Sequence, residues 1–287
     1  MYSYEVKIDG PYEFNRVLDR LSMDPLHAVD KEARIIRVPM YDRGEPVVVT
    51  VKAVGTSEHP AFEVSSEKEM SSTIKERIAR IFHWDRSLTP VQQHYLQTNL
   101  APIFKEHEGT PIVLEFNMYG CIMKCIIHQQ LNLKFAHTLT ERFVQQFGFQ
   151  REGVWFYPLP ETIAELDYEA LTALQFSRRK AEYVIDTSRL IAEGKLNIED
   201  LEHQSDEEIL KELIKVRGIG PWTVQNVLLF ALGRPNLFPI ADIGIQNALK
   251  KLFNLPAKPS KDEMEKWSKE WEPYLSYASL YLWRSIE

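Results

Sequence analysis

The chain has 287 residues, 44% of them hydrophobic and 26% charged, enough for a sizeable core in one large domain or two modest ones. No run of about 18 apolar residues offers a membrane span, and Met1-Tyr2-Ser3-Tyr4-Glu5 lacks the basic and apolar regions of a signal peptide, so a cytoplasmic protein is expected. The net charge of −7 argues against binding nucleic acid by bulk attraction, but leaves room for a local phosphate site built from backbone N–H groups at a helix end.

Residues 1 to about 100 read as mixed α and β. Ile35 to Val38 and Pro46 to Val54 are β-branched runs, Ala61 to Ser65 is a weaker strand, and Asp42-Arg43-Gly44-Glu45 reads as a turn. Tyr12 to Leu21 and Glu69 to Phe82 carry apolar residues at helical spacing, with Ile74, Ile78, Ile81 and Phe82 as the stripe of the second. From about 101 helix signals dominate: Met118 to His128, Leu133 to Phe147, Ser177 to Glu193, Glu207 to Lys215, Pro221 to Leu232 and Asp242 to Phe253. A last helical stretch, Asp262 to Leu282, is broken near Pro273. The expected fold is α+β, a small domain over 1–100 followed by a helical domain over 101–287 with a cleft. Cys121 and Cys125 are too few for a disulfide scaffold or an iron–sulfur cluster and read as buried free thiols. The eight histidines show no metal-binding spacing.

The most informative segment spans 213–232. An amphipathic helix runs into Gly218-Ile219-Gly220, and a second helix starts at Pro221, where the N–H that proline lacks would have no partner anyway. Two glycines one residue apart permit a tight turn and close approach of the backbone to another molecule. Ile219 between them is placed to plug the core. The product is a helix–hairpin–helix with N–H groups exposed at a helix start, a device for phosphate. An ordinary αα-hairpin is the plainer reading. Downstream, Leu237-Phe238-Pro239-Ile240-Ala241 leads to Asp242 just before a helix. Its neighbours are apolar, so it is either an N-cap, a carboxylate facing a partly dry space, or both.

Val216 to Asp242 resembles the signature of the helix–hairpin–helix Gly/Pro-Asp (HhH-GPD) superfamily of DNA glycosylases, in the branch of 3-methyladenine-DNA glycosylase II (AlkA). The segments Cys125–Asn132, Phe176–Tyr183, Trp271–Tyr274 and Tyr281–Trp283 resemble the same family, so residues 110 to 284 are covered well and residues 1 to 100 loosely. The resemblance implies a TBP-like antiparallel sheet at the N-terminus and two helical lobes with a cleft. It also implies a monomeric, nucleoid-associated monofunctional enzyme that flips an alkylated base out of duplex DNA and hydrolyses its N-glycosidic bond. Deaminated or oxidised bases, or a non-catalytic damage-binding protein, remain alternatives.

On that resemblance Asp242 is the catalytic carboxylate, stabilising positive charge on the sugar and orienting a water. Trp222 and Trp283, then Tyr281 and Tyr277, are expected to wall the base pocket through cation–π contact. Gly218, Ile219, Gly220 and Thr223 would hold the DNA strand, Gln130 and Leu131 would fill the hole left by the base, and Arg178 and Arg179 would meet phosphates. Two features depart from lyase relatives: Trp222 stands where they carry a lysine, and iron–sulfur cysteines are missing. Leu275 replaces an arginine common in the family. No cofactor is expected, although a structural metal ion at the hairpin fits the family.

Overall fold

The computed structural model describes residues 1–286. Five strands, β1 (Tyr2–Lys7), β2 (Ala28–Asp30), β3 (Ile35–Asp42), β4 (Glu45–Ala53) and β5 (Ala61–Ser66), form an antiparallel sheet in the order β1-β5-β4-β3-β2. Register is set by alternation: Val38 lies opposite Val49 and Ile36 opposite Val51, all buried. The β3–β4 turn is the two-residue kind, with Arg43 and Gly44 both at positive φ (51° and 81°), as a tight hairpin requires. Helix α1 (Phe14–Leu21) lays Phe14, Val17, Leu18 and Leu21 into this core. Helix α2 (Ser72–Ile81) buries the Ile74, Ile78, Ile81 stripe and starts at Ser71, whose hydroxyl accepts from the Ile74 N–H.

Short helices α3 (Thr89–Tyr95) and α4 (Ala101–Glu106) lead into α5 (Met118–His128) and α6 (Leu133–Phe147). A small hairpin, β6 (Phe149–Arg151) and β7 (Val154–Phe156), precedes α7 (Pro160–Ala164), α8 (Tyr168–Thr172) and α9 (Arg178–Ala192). Then come α10 (Asp206–Leu213), α11 (Pro221–Phe230), α12 (Ile243–Leu252), α13 (Lys261–Ser268) and α14 (Leu275–Arg284). Among the described residues no helix is long and apolar enough to cross a membrane.

Packing does not divide at residue 100. One core joins the sheet and the helices up to residue 116 to α12, α13 and α14. The other is built from α5 to α11. The return of the chain is locked by aromatics. Tyr95 stacks on Phe104 (3.8 Å between centroids), Phe104 stacks on Tyr281 (4.0 Å), and Tyr95 Oη donates to Tyr274 O at 2.8 Å. The apolar faces of α13 and α14 find their cover on the N-terminal body, leaving a cleft where the two cores meet. Cys121 and Cys125 are buried free thiols.

His83 sits at this junction, 1% exposed, with Nδ1 3.3 Å from Tyr277 Oη. Burial, aided by Arg86, holds its pKa down to about 4 from 6.5. The unfolded chain therefore binds this proton first as pH falls. Stability from His83 is complete above about pH 6.5 and is lost on the way to pH 4, by as much as about 3 kcal/mol. Urea melts from pH 7.5 to 4 should show this decline; a flat profile would contradict it.

Candidate active site

Asp242 is positioned by α14. Ser276 Oγ donates to Arg234 O (2.6 Å) and accepts from Leu237 N–H (3.0 Å), and Ser279 Oγ donates to Leu237 O (3.1 Å), pinning the loop that ends at Asp242. Asp242 caps α12: its Oδ1 accepts from the Ile245 N–H (2.8 Å) and from Trp283 Nε1–H (2.9 Å). Oδ2 has no hydrogen-bond partner among the described residues. Gly244 makes the arrangement possible, because a Cβ there would lie 3.0 Å from Asp242 Oδ1 and 3.1 Å from Trp283 Cδ1.

The carboxylate borders a cavity of about 480 Å³ whose walls include Trp222, Trp283, Leu133, Leu229, Phe230 and Arg20. Trp283 stacks on Phe230 at 6.1 Å, and the Arg20 guanidinium lies over the other ring system at 4.3 Å from the Phe230 centroid. An inner chamber of about 380 Å³ adjoins it, sharing Arg20, Leu133, Trp222, Asn226 and Phe230 as walls and ending at Asp24, Glu115, Lys124 and His128. Both volumes fall in the range of small-ligand sites.

The 213–232 hairpin forms as its sequence implies. Gly218 has φ +97°, and a Cβ on it would strike the Tyr183 ring at 2.3 Å. Gly220 caps α11 and has nothing within 4 Å of a Cβ position. Among the described residues the N–H groups of Gly220, Trp222 and Thr223 find no acceptor, whereas Ile219 N–H donates to Val216 O at 3.0 Å. The hairpin borders a broad hollow shared with Gln130, Leu131, Arg179 and Lys180, and Trp222 stands at the corner of this hollow and the cleft. Trp222 is 49% exposed and Leu133 54%, leaving bare apolar surface at the cleft mouth.

The loop carrying Gln130, itself at φ +56°, is braced from two sides. Gln129 Nε2 donates to Gly218 O (2.8 Å) and Thr223 Oγ1 (3.0 Å). Lys180 Nζ donates to the carbonyls of Ile126 (3.0 Å), Ile127 (2.7 Å) and Gln129 (2.9 Å), closing the C-terminal end of α5 with a cation. Lys180→Met keeps the stem and removes three charge-assisted bonds, so it should destabilise the fold by about 2–4 kcal/mol. A melting curve superimposable on wild type would contradict this.

The cleft thus gathers Asp242, Trp222 and Trp283, and the hollow gathers Gly218, Ile219, Gly220, Gln130, Leu131 and Arg179. Other expectations need correction. Tyr277 and Tyr281 do not wall the cavity; both are core residues, with Tyr281 Oη bonded to Thr110 O at 3.1 Å. Thr223 is 1% exposed and its hydroxyl accepts from Gln129, so its side chain braces the loop and does not reach toward DNA. Ile219 borders the hollow, but it is 5% exposed and its N–H is already donated to Val216 O. Arg178 is paired with Glu169 and Glu182 and lies over the Tyr168 ring, away from the hollow. Leu275 is buried in the core that an arginine would have to leave. Sequence reasoning missed Arg20, Leu133, Asn226 and Phe230 as walls, Gln129 as a brace and Gly244 as the space for Trp283. For Gln129 and Gly244, adjacency to Gln130 and Asp242 was the available signal.

At the hairpin, Val216 O and Gly218 O already accept hydrogen bonds, and among the described residues no group of three His, Cys, Asp or Glu side chains could hold a metal ion. Among the described residues no donor reaches Ile219 O, and no step of the chemistry is assigned to a cation there.

The HhH-GPD superfamily model, described as base excision DNA repair protein, matches residues 123–273. The chain belongs to this superfamily. A Bacillus subtilis (strain 168) protein provisionally named DNA-3-methyladenine glycosylase YfjP is 62% identical over 288 residues, covering 100% of both chains. The DNA-3-methyladenine glycosylase of the same strain is 35% identical over 224 residues, 74% of this chain and 73% of that protein. The solved 3-methyladenine DNA-glycosylase of Archaeoglobus fulgidus shares the fold, with TM-score 0.83 at 21% identity over 98% of this chain and 97% of that one. The protein is a DNA glycosylase of base excision repair, with DNA as its partner.

Proposed function

We propose that this glycosylase removes alkylated, 3-methyladenine-type bases from duplex DNA as a monomer, leaving the strand uncut and using no cofactor. The observation that carries the reading is Asp242, anchored through one oxygen by Ile245 and Trp283 with the other oxygen unpaired beside an aromatic cavity. The names of its relatives supply the substrate class, and chemistry supports it: a cationic methylated base is a good leaving group and suits aromatic walls.

In the reaction the extruded nucleotide presents C1′ to Asp242. The C1′–N bond breaks with its electron pair leaving on the base, and the carboxylate stabilises the cationic sugar. Water adds its oxygen to C1′ and loses a proton to the carboxylate. A lyase step needs a neutral amine nucleophile. Trp222 occupies the position of the lysine of lyase relatives. Lys124, which lines the inner chamber, is a poor substitute: burial opposes its charge, but Glu115 and Asp24 outweigh this and hold the ammonium well above its usual range.

The test is a panel of duplexes carrying alkylated, deaminated or oxidised bases. Alkylated bases should be released fastest, with the strand intact until alkali is added. Preference for hypoxanthine or 8-oxoguanine, or strand breaks without alkali, would overturn the reading.

A further inference from the structure

The inner chamber ends in charged groups that hydrolysis itself does not need. Lys124 Nζ donates to Asp24 Oδ2 at 2.7 Å and to Glu115 Oε2 at 2.8 Å, with side chains 15%, 10% and 19% exposed. Such a cluster is poor as a source of stability, because desolvation offsets most of the attraction. Asp24 is fully engaged, since its Oδ1 accepts from Leu26 N–H at 2.9 Å. Glu115 is not: its Oε1 has no partner among the described residues. A second acceptor stands on the same wall. Thr140 Oγ1 gives its proton to Ala136 O (3.0 Å), so His128 Nε2, 3.1 Å away, must be the donor to Thr140, leaving His128 Nδ1 as a bare lone pair. Of the other histidines there, His27 donates through Nδ1 to Leu21 O at 3.0 Å, and His137 also borders the space, as does Arg20.

We propose that Glu115 is a specificity residue: its unpaired carboxylate oxygen accepts an N–H from the edge of the extruded purine, while Lys124 holds the carboxylate in place. The enzyme then favours lesions that keep an amino or ring N–H on that edge and disfavours those that have lost it. A site built around a buried hydrogen-bonding group rejects a ligand without the matching group far more strongly than an apolar wall can. The inference rests on the alkylated-base reading and adds which edge of the base is recognised.

Glu115→Gln tests it sharply. Lys124 has only donors, so the amide must turn its oxygen to the ammonium and its NH2 toward the chamber, replacing an acceptor by a donor without changing shape. Single-turnover release is measured for 3-methyladenine, which keeps its amino group, and for 1,N6-ethenoadenine, whose bridge removes both amino hydrogens. The ratio of the two rates should fall at least about tenfold in Glu115→Gln. As a check independent of any variant, wild type should release 3-methylpurine, the same cation without the amino group, at least about tenfold more slowly than 3-methyladenine. Equal effects on both lesions, or equal wild-type rates with and without the amino group, would overturn the role of Glu115. Wild-type failure on every alkylated base would instead defeat the parent reading, and this inference with it.

Discussion

Asp242→Asn should fold and bind DNA like wild type yet release alkylated bases about 10²–10⁴ times more slowly. The structure makes this substitution unusually clean. Asn is as good an N-cap as Asp, and its amide oxygen can keep both bonds that Oδ1 accepts, from Ile245 N–H and from Trp283 Nε1. What changes is the charge and the unpaired oxygen. Stability should stay within about 1 kcal/mol, the scale of a lost charge–dipole interaction at a helix start. Single-turnover release on a methylated duplex, with a melting curve and a binding isotherm from the same preparation, decides it. An active Asp242→Asn would contradict the assignment. An inactive variant that melts far below wild type would mean that the cap, and not the chemistry, had been removed.

The two hairpin glycines should separate fold from DNA binding. Gly218→Ala places a Cβ 2.3–2.7 Å from Tyr183 ring carbons at φ +97°, so it should destabilise the protein by about 2–4 kcal/mol. Gly220→Ala meets no atom within 4 Å, and its φ of −111° is open to any residue. Its stability should change by no more than about 1 kcal/mol, since the poorer cap is partly offset by a less flexible unfolded chain. The new methyl group instead stands beside the unpaired N–H groups of Gly220, Trp222 and Thr223, where a phosphate would approach. DNA affinity should drop at least about tenfold, or about 1.4 kcal/mol, at fixed salt. Normal DNA binding by Gly220→Ala would remove the hairpin from the interface.

Features written in short stretches of sequence were legible. Ser177, Asp242 and the apolar periods placed α9, α12 and α2 to within a few residues, and Gly-Ile-Gly-Pro placed the hairpin. Strand β1 was missed although Tyr2, Tyr4 and Val6 alternate with polar residues, and the β6–β7 hairpin was missed because three-residue strands carry almost no period. On α14 the face was misread. Tyr277 and Tyr281, four apart, share the face packed against Phe104 and His83, while Leu280 and Trp283, three apart, share the one that lines the cavity. The domain boundary and the inner chamber were illegible for one reason. Arg20 and Asp24 lie far in the sequence from Glu115 and Lys124, and only the tertiary fold brings the two pairs together.

The most direct test of the account is a crystal structure of Asp242→Asn bound to duplex DNA with a stable abasic-site analogue. The account predicts C1′ of the extruded nucleotide within about 3.5 Å of the residue 242 side chain. It also predicts strand phosphate oxygens within about 3.2 Å of the N–H groups of Gly220, Trp222 and Thr223. A nucleotide still stacked in the duplex, or flipped into any space not bordered by residue 242, would contradict it.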